Sequence, residues 1–197
     1  MSHEHAGQTA RNEHAARHHH HKGRSSESML DKPAILDALR IRPGQTILDA
    51  GCGSGHMSRT FSDALGSAGA VYAIDPDEEA IAALRSETAQ NNIHAMVGDI
   101  TARTPLDAAC VDIVYIANVL HGFSPEQMAG FRSEVVRILK PGAKLAVVEI
   151  DKRETPSGPP MDIRFSPEDL RRAIPLTPTE LVRAGEFLYM QVFEKKD

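Results

Sequence analysis

Ile47-Leu48-Asp49-Ala50-Gly51-Cys52-Gly53-Ser54-Gly55 decides how the rest of the chain is read. An apolar, β-prone run ends in a carboxylate, glycines follow at alternate positions, and a helix-compatible segment continues from His56 to Leu65. The reading is a strand, a tight turn and a helix start. Glycine is needed where the backbone takes positive φ or where a ligand lies against it with no Cβ between. The start of a helix adds unpaired N–H groups. The turn therefore predicts a ligand, with a turn that serves only helix-strand packing as the alternative. A dinucleotide loop of the form G-x-G-x-x-G would need its third glycine at position 56, where the chain has His56. Asp49 would repel a pyrophosphate and favour a cation. The predicted ligand is positively charged, and a dehydrogenase is disfavoured.

Two more carboxylates follow at the same spacing logic. Asp75 ends the run Ala70-Val71-Tyr72-Ala73-Ile74, about one strand-helix-strand unit after the glycines, where a carboxylate can accept both hydroxyls of a ribose. Asp99 follows Ile93-His94-Ala95-Met96-Val97-Gly98, which reads as a third strand. In a parallel sheet with short connections the C-terminal strand ends share an edge, and ligands bind in the crevice outside it. Asp49, Asp75 and Asp99 are thus predicted at one edge.

These residues resemble a class I S-adenosylmethionine-dependent methyltransferase. I-L-D-A-G-C-G-S-G is similar to that family's first motif, A-I-D-P-D to its acidic loop after the second strand, and V-G-D-I to its adenine-contacting loop. D-I-V-Y-I-A-N-V-L-H resembles the fourth strand and its exit loop, and L-K-P-G-A-K-L-A-V-V-E-I resembles the turn and fifth strand. The resemblance covers residues 29 to 197 and is closest to the small-molecule branch typified by ubiquinone/menaquinone-biosynthesis enzymes. It implies an α/β, Rossmann-like, doubly wound single domain whose seven-stranded sheet has the order 3-2-1-4-5-7-6, strand seven antiparallel. It also implies S-adenosyl-L-methionine as cofactor.

By the same resemblance, Gly51, Cys52, Gly53 and Gly55 let the backbone approach the methionine and ribose portions, and Asp49 supports the loop or the ligand's ammonium. Asp75, with Pro76 beside it, would take the ribose hydroxyls; capping of the following helix is the alternative. Asp99 would receive the adenine amino group and Ile100 would offer its N–H to the ring, against a plain turn role for the aspartate. Asn118 would bond the cofactor. His121 is the candidate catalytic base, with pocket lining as the alternative. The N-P-P-Y-like motif with which relatives grip a planar amine is absent from the loop at 118 to 123.

Composition sets the outer bounds. A chain of 197 residues suits one domain that buries about 70% of its unfolded surface. A net charge of -5 and a pI near 6.0 argue against a nucleic-acid duplex as partner, since that calls for a basic face. Cys52 and Cys110 make neither a disulfide framework nor the thiolate set that arsenite enzymes use, and they fit a reducing cytoplasm. No apolar run reaches the roughly 20 residues of a membrane span. A homodimer stays open alongside a monomer.

Residues 1 to 28 differ from the rest: seven of the ten histidines lie there (His3, His5, His14, His18, His19, His20, His21), with few large apolar side chains. Such a segment is predicted to be a mobile arm. Clustered imidazoles also allow a metal-binding or sensing role, a lid over the site, or an added tag. The alternative function is therefore a metal-binding or sensing protein on the same fold.

From Met29 onward the elements alternate. Helices are predicted from a first turn at Pro33 through Ile35, Leu36 and Leu39 to a stop at Arg42-Pro43-Gly44, and around Ser54 to Leu65, Asp77 to Asn91, Ser124 to Lys140 and Ser166 to Ala173. Strands are predicted over Thr46 to Ala50, Ala70 to Ile74, 93 to 97, Val111 to Ala117 and Lys144 to Ile150, followed by a hairpin of Leu176 to Arg183 and Phe187 to Glu194. No inserted substrate domain fits between them. Contacts to a small-molecule acceptor are expected from residues 1 to 32, 118 to 124 and 151 to 166, including Arg153, Met161, Arg164 and Phe165.

Overall fold

Alternating β-prone runs and amphipathic segments build one seven-stranded sheet with helices on both faces, in a computed structural model that describes residues 26–88 and 92–196. The strands are β1 (Thr46–Ala50), β2 (Ala70–Asp75), β3 (Ile93–Val97), β4 (Val111–Ala117), β5 (Leu139–Ile150), β6 (Thr177–Arg183) and β7 (Leu188–Glu194). Their order is β3-β2-β1-β4-β5-β7-β6, as the resemblance implied. β1 to β5 run parallel, and β7 runs antiparallel to both β5 and β6.

The helices are α1 (Lys32–Leu39), α2 (His56–Leu65), α3 (Glu78–Glu87), α4 (Pro125–Ile138) and α5 (Pro167–Ala173). Each start has a local cause. Asp31 accepts the Ala34 N–H at 3.1 Å and Asp77 accepts those of Glu79 and Ala80, while Ser124 and Ser166 form capping boxes with Gln127 and Asp169 ahead of Pro125 and Pro167. α2 differs, because its N-cap is Gly55 in the left-handed conformation.

Strand alternation sends side chains into two cores. Ile47 packs with Ile35, Leu39, Phe61 and Leu65 on the α1–α2 face, whereas Leu48 packs with Phe131, Val135 and Ile138 beneath α4. A sheet covered on both faces explains why β1, β4 and the end of β5 are almost wholly apolar. A polar side chain within such a run is costly to bury, so each one marks a position with another job.

The structure moves the start of β5 and the end of α3 by several residues, and other element ends by less. β5 begins at Leu139 rather than Lys144: Leu139 pairs with Val111, the register then slips, and Ile113 pairs with Lys144. Gly142, at φ +72°, donates to the Lys195 carbonyl at 2.8 Å, so the expected turn is tied into the sheet instead of standing apart from it. α3 stops at Glu87, with the Thr88 N–H bonded to Leu84, earlier than the predicted end at Asn91. The histidines of the N-terminal arm lie outside the described residues. No described helix is long and apolar enough to cross a membrane.

Candidate functional site

The C-terminal strand ends meet at the glycine turn. Gly51 and Cys52 both donate their N–H groups to the Ile74 carbonyl, at 2.8 and 3.1 Å, which fastens the turn against the end of β2. Gly51, Gly53 and Gly55 have φ of +70°, +49° and +74°, so all three need the conformational freedom predicted from the sequence. They use it differently. A Cβ on Gly51 would stand 2.7 Å from Val119 Cγ2, and one on Gly55 would strike the Leu84 side chain. At Gly53 a Cβ would meet nothing within 4 Å: packing explains the outer two glycines, and open space lies in front of the middle one.

Asp75 organises this turn. Its Oδ2 accepts the Gly53 N–H at 2.8 Å and its Oδ1 accepts the Asp77 N–H at 2.9 Å, while the cap of α3 is Asp77 itself. Each carboxylate oxygen accepts more than one hydrogen bond, so capacity remains for a ligand diol. Pro76 is exposed beside it.

Asp49 is buried, and its Oδ2 accepts the Ser58 hydroxyl at 2.6 Å. Burial pushes its carboxyl up to about 6, against the opposing Ser58 hydrogen bonds and with a further push from the Asp75 charge. Two carboxylates so placed favour a cation between or beside them. Cys52 is next in the turn; burial, then the charges of Asp49 and Asp75, push its thiol well above the usual range, which keeps it protonated and neutral.

Asp99 and Ile100 lie where β3 leads them. Asp99 is exposed and its Oδ1 accepts the Thr101 N–H at 2.8 Å, so it does close a turn, leaving Oδ2 for a ligand; Ile100 is buried. On the other side of β1, Asn118 leaves β4 in the left-handed conformation at φ +56° and donates its N–H to the Val148 carbonyl at 2.8 Å. Its Nδ2 is buried and has no hydrogen-bond partner among the described residues. An unmet buried donor costs about 1–3 kcal/mol, and a ligand carbonyl or carboxylate would recover it.

His121 follows three residues later. Its Nδ1 lies 2.8 Å from Glu149 Oε2, and Glu149 Oε1 accepts the Leu120 N–H at 3.0 Å. Glu149 is fully buried near the end of β5. Residue-by-residue reading of the sequence passed over Glu149 and Ser58. An acid inside the apolar run Leu145-Ala146-Val147-Val148-Glu149-Ile150 was the available signal, since a buried carboxylate requires partners.

The loop from 151 to 166, expected to contribute acceptor contacts, is held by its own side chains. Arg164 is buried and donates to the carbonyls of Pro159, Asp151 and Arg153 and to Thr155 Oγ1, all within 3.0 Å. Arg153 pairs with Asp151 and lies over the Phe187 ring. Phe165 offers its carbonyl to Tyr189 Oη at 2.7 Å, which leaves Met161 and Ile163 as the exposed apolar side chains of the loop. Among the described residues no group of His, Cys, Asp and Glu is placed to hold a metal ion.

Sheet order, glycine turn and acidic strand ends define a Rossmann-like nucleoside-binding fold. A methyltransferase domain family matches residues 47–142. The chain is 36% identical over 124 residues to an uncharacterised 37.1 kDa protein in transposon TN4556 of Streptomyces fradiae, covering 61% of this chain and 34% of that one. It is 29% identical over 132 residues to the ubiquinone/menaquinone biosynthesis C-methyltransferase UbiE of Bordetella parapertussis, covering 66% and 50% respectively. The chain thus spans about a third to a half of the length of these curated relatives. A crystal structure of a SAM-dependent methyltransferase from Aquifex aeolicus superimposes with a TM-score of 0.75 at 26% identity, over 86% of this chain and 92% of that one. Residues 47–142 thus match a methyltransferase domain, and the chain as a whole is similar to S-adenosylmethionine-dependent methyltransferases.

Proposed function

We propose that this chain transfers a methyl group from S-adenosylmethionine to a small-molecule acceptor by in-line displacement. The observation that carries the reading is the open face of Gly53, whose N–H is held by Asp75 while Asp49 lies buried behind the same turn. A nucleoside with a cationic sulfur and an amino-acid tail matches each part. Its ribose hydroxyls suit Asp75, its positive charge suits Asp49, and its adenine suits Asp99 and Ile100. Its backbone fits against Gly51, Cys52 and Gly53, and its tail gives Asn118 Nδ2 the acceptor that group lacks.

S-adenosylmethionine supplies an already activated methyl group. What the protein adds is placement: donor and acceptor held about 3 to 3.5 Å apart and in line, with water excluded. On this reading the acceptor is met by the loop at 118 to 124, and the exposed apolar side chains Met161 and Ile163 of the loop at 151 to 166 are the further candidates for contact with a small molecule. The acidic net charge and the UbiE relatives, named for quinone-biosynthesis C-methylation, point the same way. A cytosolic setting completes this reading.

The test is the fate of labelled methyl groups. Purified protein incubated with methyl-labelled S-adenosylmethionine and a cell extract separated by mass should place the label in molecules below about 1 kDa. Label found only in protein or RNA fractions, or in none, refutes the small-molecule reading.

A further inference from the structure

We propose that His121 is the catalytic base of this site, with Glu149 as its positioning residue, and that the acceptor is therefore a hydroxyl or a carbon acid. The inference rests on the methyltransferase reading above and narrows its substrate class. A carboxylate only accepts hydrogen bonds, and Glu149 has one oxygen on the Leu120 N–H and the other on His121 Nδ1. The imidazole hydrogen is consequently held on Nδ1. Nε2 is left with its lone pair and with no hydrogen-bond partner among the described residues, on a side chain that keeps 17% of its surface exposed.

The position suits the task. The Val119 side chain packs against Gly51 of the glycine turn, so the imidazole two residues on stands in the loop that borders the crevice. Burying the Glu149 carboxylate is costly unless it is hydrogen-bonded, and its two partners, the Leu120 N–H and His121 Nδ1, both belong to this loop, so the carboxylate fixes the imidazole's place and orientation.

The reaction balances with these groups. His121 Nε2 takes the proton of the acceptor O–H or C–H, and the freed electron pair of oxygen or carbon closes on the methyl carbon. The C–S bond breaks with its pair left on sulfur, which becomes a neutral thioether. The positive charge passes to the imidazole, directly beside the Glu149 carboxylate. An aromatic amine or a thiol acceptor would need no such partner, since the first attacks with a lone pair already free at neutral pH and the second ionises readily.

Two readouts on the full-length protein test this. The first is the side-chain 15N spectrum of His121 with S-adenosylhomocysteine present, assigned by its loss in His121→Gln. A hydrogen on Nδ1 and a bare Nε2 are expected, with a shift towards the Nε2–H form in Glu149→Gln. The second is turnover of catechol and acetylacetone against aniline and a simple thiol. Methylation of the hydroxyl or carbon-acid probe is expected, lowered about 100-fold in His121→Gln and about tenfold in Glu149→Gln, while S-adenosylhomocysteine affinity stays within about twofold. Added imidazole should restore part of the His121→Gly rate. A wild-type Nε2–H tautomer, turnover confined to aniline or thiol, absence of turnover with catechol and acetylacetone, or a His121→Gln rate equal to wild type overturns the proposal. Failure of the parent reading looks different: wild-type protein would not bind S-adenosylhomocysteine at all.

Discussion

Gly53→Ala separates a ligand cradle from a packing turn. The added methyl group would meet no atom within 4 Å, so its cost to the fold is the left-handed backbone at φ +49° alone. For a residue with a Cβ that cost is about 1–2 kcal/mol. For a chain of this size it lowers Tm by roughly 2–8 °C, at about 2–4 °C per kcal/mol. A ligand lying on Gly53 would be pushed back by the same methyl group, and overpacking of this kind costs about 1–3 kcal/mol, or about 5- to 150-fold in affinity. Calorimetric titration with S-adenosylhomocysteine beside a thermal melt reads both numbers. Gly55→Ala serves as the contrast, because its Cβ collides with the buried Leu84 and it should lose far more stability. Unchanged affinity in a folded Gly53→Ala protein would show that nothing lies against this glycine, and the reasoning would fail.

Asp49 gives the site a pH signature. The folded protein holds the Asp49 proton more tightly than the unfolded chain, about 6 against 3.8, so this group favours the fold most below pH 4. The advantage is lost as pH rises towards 6, by up to about 3 kcal/mol. Denaturant melts at pH 4 and 7 should show Asp49→Asn gaining on wild type at the higher pH, and an equal slope in both proteins would contradict the shift. S-adenosylmethionine binding should weaken towards tenfold per unit below pH 6 in wild type and lose that dependence in Asp49→Asn, as isothermal titration across pH 5 to 8 would measure. Arg164→Ala removes four hydrogen bonds from the loop at 151 to 166. It should cost about 2–4 kcal/mol and open that loop to proteolysis, whereas a protein as stable and as resistant as wild type would contradict the staple.

Much of this was legible in the residues, and the reasons differ by element. β1 and β4 begin and end where their apolar runs do, because a doubly covered parallel strand admits little else. The start of β5 was missed, since Lys140-Pro141-Gly142 reads as a turn and only the pairing of Leu139 with Val111 and the hydrogen bonds to Lys195 draw it into the sheet. Asp49, Asp75 and the glycines were found through a spacing that repeats with each strand-helix unit. Glu149 was quoted within a strand motif without a role, because its partners sit 28 and 29 residues earlier. The role of Arg164 as the tie of its loop was not legible for the opposite reason: a proline-rich loop does not reveal in its sequence that its carbonyls converge on one guanidinium.

The claim beneath all of this is that Asp75 and the glycine turn hold an adenosyl sulfonium. Calorimetric titration of wild type and Asp75→Ala with S-adenosylmethionine meets it head-on. Saturable one-to-one binding by wild type, weakened at least about 30-fold in a folded Asp75→Ala protein, is the result expected from two lost charge-assisted hydrogen bonds. Absence of binding by the wild-type protein, or equal affinity in the two, would contradict it.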